Sequence, residues 1–239
     1  MDPNPVTESI GRMMSGQANF FWDAFAALQV NGISGDYAEF GCHHGGSFQS
    51  AYKAMAGRSV PRHLWAFDSW GSLPDDHPRD AHPGWELEGA SAGGVETFHA
   101  SLRRAGVPRS AYTTVEGYYR DTLPPLQAGG APTDIALAYV DCDLYSSTVD
   151  VLTFLEPRLK HGMIVAFDDY YCWTSTDASG ERVAMLEFLA AHPEWNFHRY
   201  KDIHWAGLSF VVERTDSLPH RAGVGDEGGK GTAGRVHRD

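Results

Sequence analysis

The chain has 239 residues, with 19 Lys plus Arg against 31 Asp plus Glu and a formal charge of −12. That balance argues against a nucleic-acid surface, which needs a basic stripe to neutralise phosphates, and against docking on an anionic membrane. Apolar residues make up 42%, enough for a sizeable core, yet no apolar run approaches the ~20 residues of a membrane span. The opening MDPNPVTESIGR lacks the basic-then-apolar order of a secretory leader. Cys42, Cys142 and Cys172 cannot all pair and none lies in a CxxC, which predicts reduced thiols in a cytoplasmic protein.

Phe21, Phe25 and Leu28 recur at i, i+4, i+7 and predict an entry helix over roughly 18–29, broken by Asn31-Gly32 and Ser34-Gly35. Tyr37–Phe40 reads as a short strand, followed by a glycine-rich turn from Gly41 to Gly46 and a helix bearing Phe48, Tyr52 and Met55. His63–Phe67 is a second strand ending in Asp68. A long polar segment, Ser69–Gly94, precedes a helix with Val95, Phe98 and Leu102. Tyr112–Glu116 is the third strand, and the unbroken apolar run Ile135–Val140 predicts a fourth that is covered on both faces. The next helix carries Val149, Leu152 and Leu159, with Pro157 expected to kink or shorten it. Met163–Phe167 is a fifth strand, and Val183, Leu186 and Leu189 mark the helix after it. Asn196–Tyr200 and Leu208–Val212 are joined too closely for a helical crossover and should pair antiparallel. Five strand–helix units and a hairpin describe a doubly wound α/β sheet with an antiparallel edge and its site at the carboxyl ends of the strands. The expected organisation is an N-terminal helical segment (1–34), one domain (35–214) and a glycine-rich, aromatic-free tail (215–239) expected to be disordered.

The first turn, Glu39-Phe40-Gly41-Cys42-His43-His44-Gly45-Gly46-Ser47, lets a ligand approach the backbone closely, but its spacing is not the GxGxxG dinucleotide fingerprint. Glu39 can accept hydrogen bonds from a cationic amine such as that of S-adenosylmethionine; the plainer reading is a charged residue solvated at the edge of a tight turn. Asp68 stands where an acid grips a cofactor's ribose hydroxyls, or where a residue caps a following turn. In Val115-Glu116-Gly117-Tyr118-Tyr119 the loop after the third strand can bracket an adenine, or the aromatics can simply pack.

Asp141 and Asp143 end the fourth strand, while Asp168 and Asp169 end the fifth. Adjacent parallel strands run ~4.8 Å apart, so these carboxylates should converge. Packing them without a counter-charge costs on the order of several kcal/mol. A divalent cation removes the conflict, and an all-oxygen donor set selects Mg2+, Ca2+ or Mn2+ over zinc. Asp143 is also placed to cap the helix beginning near Ser146, and a cluster of acids with raised pKa values and capping roles is the bland alternative.

GDYAEFGCHHGGSF, WAFDSWGSLP, VEGYYRDTLP, VDCDLYSSTVDVL and FDDY, in that order between about Gly35 and Val212, resemble the macrocin O-methyltransferase family. That family comprises S-adenosylmethionine- and divalent-metal-dependent enzymes that methylate sugar hydroxyls on antibiotics and related natural products. The resemblance implies a Rossmann-like class I methyltransferase sheet and Mg2+ held by Asp141, Asp168 and Asp169. It also implies a cofactor site of Glu39, Gly41, Gly45, Gly46, Ser47, Asp68, Ser69, Gly117 and Tyr118. The chain departs from the family at His43 and His44, where an aromatic and an arginine are usual. Two adjacent substrate hydroxyls on the metal would acidify one of them. Asp141 is the base that the resemblance suggests, with His43, His44 and His204 as competitors. Trp70, Trp85, Trp173 and Trp205 fall in loops near the site edge, and the 69–94 segment has the length of a lid. The acceptor expected is a small molecule with vicinal hydroxyls, a sugar first and a catechol as the main rival. A nicotinamide-dependent oxidoreductase lacks its fingerprint here, and a nucleotide-ligand-binding protein without turnover would not need the acids. A homo-oligomer is compatible with such a domain.

Overall fold

The computed structural model describes residues 5–74, 77–85 and 93–217. Its elements in chain order are α1 (Pro5–Val30), β1 (Asp36–Phe40), α2 (Gly46–Ala54), β2 (Leu64–Asp68), α3 (Val95–Arg104), β3 (Tyr112–Glu116) and α4 (Tyr119–Gln127). There follow β4 (Ile135–Val140), α5 (Tyr145–Leu155), β5 (Ile164–Phe167), α6 (Gly180–Ala191), β6 (Trp195–Asp202) and β7 (Leu208–Arg214). The seven strands form one sheet in the order 3-2-1-4-5-7-6. β1 to β5 pair in parallel, and β7 runs antiparallel to both β5 and β6. The expected hairpin is therefore present, but its second strand inserts beside β5 and leaves β6 at the edge.

β4 is buried at all six positions, as a continuous apolar run between two parallel neighbours must be. Side chains alternate across it into two cores. Tyr139 joins Phe20, Phe21, Phe25, Phe48 and Phe98 beneath α1, α2 and α3. Val140 joins Phe40, Phe154, Leu155 and Phe188 beneath α5 and α6. The same alternation places Tyr37 in the first core and Ala38 and Phe40 in the second, so Glu39 points with Tyr37 toward the α1 side.

Three expectations need correction. The entry helix extends N-terminally well beyond 18–29. Residues 119–127 form a helix despite Pro124 and Pro125 inside it, which obscured the periodic signal. α6 forms where expected and packs Leu189 on the core, but its buried face is carried by Glu181, Ala184, Met185 and Phe188, and Leu186 is 50% exposed. Pro157 acts as expected, for α5 stops at Leu155 and passes into a short 3-10 turn. Thr215–Ser217 is another such turn, and the remainder of the expected tail, 218–239, lies outside the described residues.

Asp143 does not cap α5. The first turn of that helix is held from the 69–94 segment, where the buried Asp80 accepts hydrogen bonds from the Ser146 backbone N–H (3.0 Å) and hydroxyl (2.5 Å). Arg79 alongside it pairs with Glu187 of α6 at 2.7 Å. Asp80→Ala is expected to lower the unfolding free energy by about 1–2 kcal/mol, as loss of a side-chain cap does. A urea midpoint would report that loss, and faster cleavage of the 69–94 segment by a nonspecific protease should accompany it.

Candidate active site

The carboxyl end of β1 meets that of β4 so closely that Gly41, at φ +91°, has no room for a side chain. A Cβ there would lie 1.7 Å from the Asp141 carbonyl oxygen. The turn that follows is tied to β2 by Asp68. Its Oδ2 accepts the backbone N–H groups of Cys42 and His43, both at 2.7 Å, and its Oδ1 accepts that of Trp70 at 2.6 Å. Trp70 is held at φ +45°, a costly conformation for a bulky residue. It is 3% exposed and donates its indole N–H to the His43 carbonyl (3.2 Å). Asp68 therefore caps a turn and borders the cavity at once. The loop after β3 joins this knot, with the Gly117 N–H donating to the Asp68 carbonyl (2.9 Å) and the Tyr118 hydroxyl to the Ser72 carbonyl (3.2 Å).

Glu39 is fully buried behind the turn. It accepts hydrogen bonds from the Ser47 hydroxyl (2.6 Å) and from the Tyr37 hydroxyl. Burial pushes its carboxyl up to about 8, more than these two hydrogen bonds offset. Raised in this way and set behind the cavity wall, the Glu39 carboxyl braces the turn from the core side. Of the nine expected cofactor positions, Gly41, Asp68, Ser69, Gly117 and Tyr118 line the cavity, whereas Glu39, Gly45, Gly46 and Ser47 do not. Gly45 sits against the Phe98 ring instead.

The strand-end acids do converge. Asp141, Asp143 and Asp169 present carboxylate oxygens within 4.8 Å of one another. Asp168 stands beside them with one oxygen turned to Tyr139, Gln17 and His204. Burial, reinforced by Asp168 and Asp169, holds Asp141 well above the usual carboxylate range. Asp169 is pushed up to about 6 by burial and by Asp168. Beneath them lies Glu181, which the sequence reading missed. It is fully buried and accepts the backbone N–H groups of Cys142 (3.3 Å) and Asp169 (2.9 Å), bridging the two loops that carry the acids. Gly180 before it lets α6 come this close, because a Cβ would stand 2.6 Å from the Tyr145 nitrogen. Glu181 had no distinguishing pattern in the sequence; its role depends on α6 packing under loops that start 12 and 39 residues upstream.

Both groups open onto one cavity of about 1270 Å3, which also takes in Met13 and Gln17 of α1, Trp85 and Trp205. His43, His44 and His204 line it too. Trp70 is core packing against Phe98 at 5.2 Å, and Trp173 is exposed without lining the cavity. Among the described residues no helix is long and apolar enough to cross a membrane.

Sheet order, cavity position and strand-end acids together define a Rossmann-like fold of the kind found in O-methyltransferases. The O-methyltransferase NovP superposes with a TM-score of 0.66 at 24% identity, covering 83% of this chain and 80% of that one. The calicheamicin methyltransferase CalS11 gives 0.59 at 23%, over 88% and 94%. The chain belongs to the macrocin-O-methyltransferase (TylF) family, whose model matches residues 6–191. It is 35% identical over 157 residues to the 8-demethyl-8-(2,3-dimethoxy-alpha-L-rhamnosyl)-tetracenomycin-C 4'-O-methyltransferase of Streptomyces olivaceus, over 62% of this chain and 58% of that one. It is 30% identical to the mycinamicin III 3''-O-methyltransferase of Micromonospora griseorubida, over 59% and 57%. The matches thus span under two thirds of those relatives' lengths.

Glu39 keeps its proton to about pH 8 when folded, against an ordinary value of 4.5. The folded state therefore binds more protons in that window, and the stability this group contributes, complete at low pH, is lost as pH rises through it. Glu39→Gln should show a shallower fall in melting midpoint between about pH 5 and pH 8 than the wild type. Equal slopes would contradict the buried, protonated carboxyl.

Proposed function

We propose that the chain is an S-adenosylmethionine- and Mg2+-dependent O-methyltransferase acting on a sugar hydroxyl of a small natural product. The observation that carries this reading is that the Asp68 knot and the acid cluster line one cavity, since methyl transfer needs a cofactor and an acceptor side by side and in line. The named activities of the family's tetracenomycin and mycinamicin relatives support a glycoside acceptor. The free thiols of Cys42, Cys142 and Cys172 fit a reducing cytoplasm.

S-adenosylmethionine supplies an electrophilic methyl group. On the chain's side, Asp68 has three backbone donors already in place and keeps acceptor capacity on Oδ1 for a ribose hydroxyl. Gly117 and Tyr118 flank the same wall and suit an adenine. The donor set at the ends of β4 and β5 is entirely oxygen, and its crowded, destabilised carboxylates suit a hard cation. Asp141 and Asp169, whose oxygens lie with those of Asp143 within 4.8 Å of one another, would hold Mg2+ together with the neighbouring Asp168, and the ion would supply Lewis acidity to a substrate hydroxyl. Asp141, on the cavity wall, takes the hydroxyl proton. His77, His82 and Trp85 line the cavity, and closure of their segment over bound ligands would exclude water.

Calorimetry should detect S-adenosylhomocysteine binding, and a panel of glycosides and catechols should gain the mass of one methyl in the presence of Mg2+, glycosides foremost. Asp141→Asn should cut kcat by roughly 10²–10⁴-fold, the range for loss of a general base, with S-adenosylhomocysteine binding retained. Failure to bind S-adenosylhomocysteine with or without Mg2+ would overturn the assignment.

A further inference from the structure

The carboxylate of Asp168 is used unevenly. Its Oδ1 accepts hydrogen bonds from the Tyr139 hydroxyl, from the Gln17 side-chain amide (3.2 Å) and from Nε2 of His204 (2.9 Å). The three donors come from β4, from α1 and from the loop between β6 and β7, elements far apart in the chain. Gly16 makes the meeting feasible, since a Cβ there would lie 2.4 Å from the Ile203 carbonyl oxygen and push α1 off that loop. Gln17 also donates to the Tyr139 hydroxyl (3.3 Å), so the donors support one another.

A carboxylate oxygen has two lone pairs, and three donors saturate Oδ1. Oδ2 accepts no hydrogen bond among the described residues. No side-chain oxygen sealed from solvent lacks a partner there, so Oδ2 keeps surface. The side chain is nine-tenths buried and lines the central cavity, the opening available to that surface among the described residues. His204 is fixed just as firmly. The Ala206 N–H donates to Nδ1 at 3.1 Å, which places the ring proton on Nε2, where it is donated to Asp168. With both nitrogens engaged and the side chain 3% exposed, His204 is not the proton acceptor that its position in the loop suggested.

We infer that Gln17, Tyr139 and His204 are positioning residues that fix Asp168 as a one-oxygen ligand, with Oδ2 presented to the divalent cation. The inference rests on the metal-dependent reading of the site. Hydrogen-bond partners of this kind orient metal ligands, and their loss typically weakens metal binding 10–100-fold. Mg2+ in particular demands near-octahedral placement of single oxygens, which a freely rotating carboxylate does not supply. Anchoring Asp168 to α1 also links the metal seat to the helix that places Met13 on the cavity wall.

The test uses the full chain, with Mn2+ as the probe, followed by electron paramagnetic resonance of the free ion, and S-adenosylhomocysteine binding measured separately by calorimetry without metal. His204→Leu should weaken Mn2+ binding roughly 10–100-fold and leave S-adenosylhomocysteine affinity unchanged, and His204→Gln, which restores an N–H donor, should recover most of the loss. Tyr139→Phe keeps the ring packing and should shift Mn2+ affinity in the same direction by less, which decides the matter if His204→Leu does not fold. Unchanged Mn2+ affinity in both His204→Leu and Tyr139→Phe would overturn the inference, as would equal losses in His204→Leu and His204→Gln. A wild-type chain that binds S-adenosylhomocysteine but no Mn2+ overturns this inference together with the metal-dependent part of the proposed function and leaves methyl transfer standing, and one that binds neither overturns the methyl-transfer reading as well.

Discussion

Like charges at the carboxyl ends of β4 and β5 are the constraint around which this molecule is built. Parallel pairing of the two strands brings Val140 level with Phe167, so the residues after them emerge together, and on both strands those residues are aspartates. Carboxylates this close and this poorly solvated repel one another and resist ionising together. Much of the surrounding structure answers that conflict with donors. Glu181, itself a further buried acid, accepts two backbone N–H groups and ties the two loops together, while the donors Gln17, Tyr139 and His204 converge on one oxygen of Asp168. These donors hold Asp168 in place and leave the neighbouring carboxylates crowded. Such unresolved electrostatics in a cleft are the mark of a site built for a ligand rather than for stability.

Across the cavity the problem is the opposite one, how to hold a flexible glycine turn still. Asp68 achieves it with three backbone amides, and Trp70 locks the arrangement by accepting an unfavourable φ so that its ring can pack on Phe98 and its N–H can reach His43. Backbone strain of about 1–3 kcal/mol is tolerated where surrounding contacts overdetermine it. Glu39 and Ser47 brace the same turn from the core side. This wall of the cavity is thus held by hydrogen bonds from both sides.

The remaining cavity walls are recruited from outside the repeating strand–helix pattern. α1 approaches at Gly16, the β6–β7 loop brings His204 and Trp205, and residues 77–85 dock through Asp80 on Ser146 and Arg79 on Glu187. These pieces set the shape of the acceptor half of the cavity, and they lie where insertions and exchanges leave the sheet undisturbed.

The succession of strands, every helix but α4, the hairpin, the glycine turn and the strand-end positions of Asp68 and the four later acids were readable from the chain. Each depends on local periodicity or on a residue's place at the end of a strand. The run Ile135–Val140 could be nothing but a covered strand, and an acid following such a run falls at the sheet edge whatever the rest of the fold does. Other assignments depended on which surfaces meet in space, and those only the tertiary structure decided. Glu39 reads like a ligand-facing acid until strand alternation turns it into the α1 core. Asp143 reads like the α5 cap until Asp80, 66 residues upstream of Ser146, takes that role. Gln17, Tyr139 and Glu181 carry no local mark at all. Their importance is created by close approaches at Gly16 and Gly180 and by hydrogen bonds spanning up to 151 residues of chain. Periodicity encodes which face of an element is buried, but not against which distant polar atom it comes to rest.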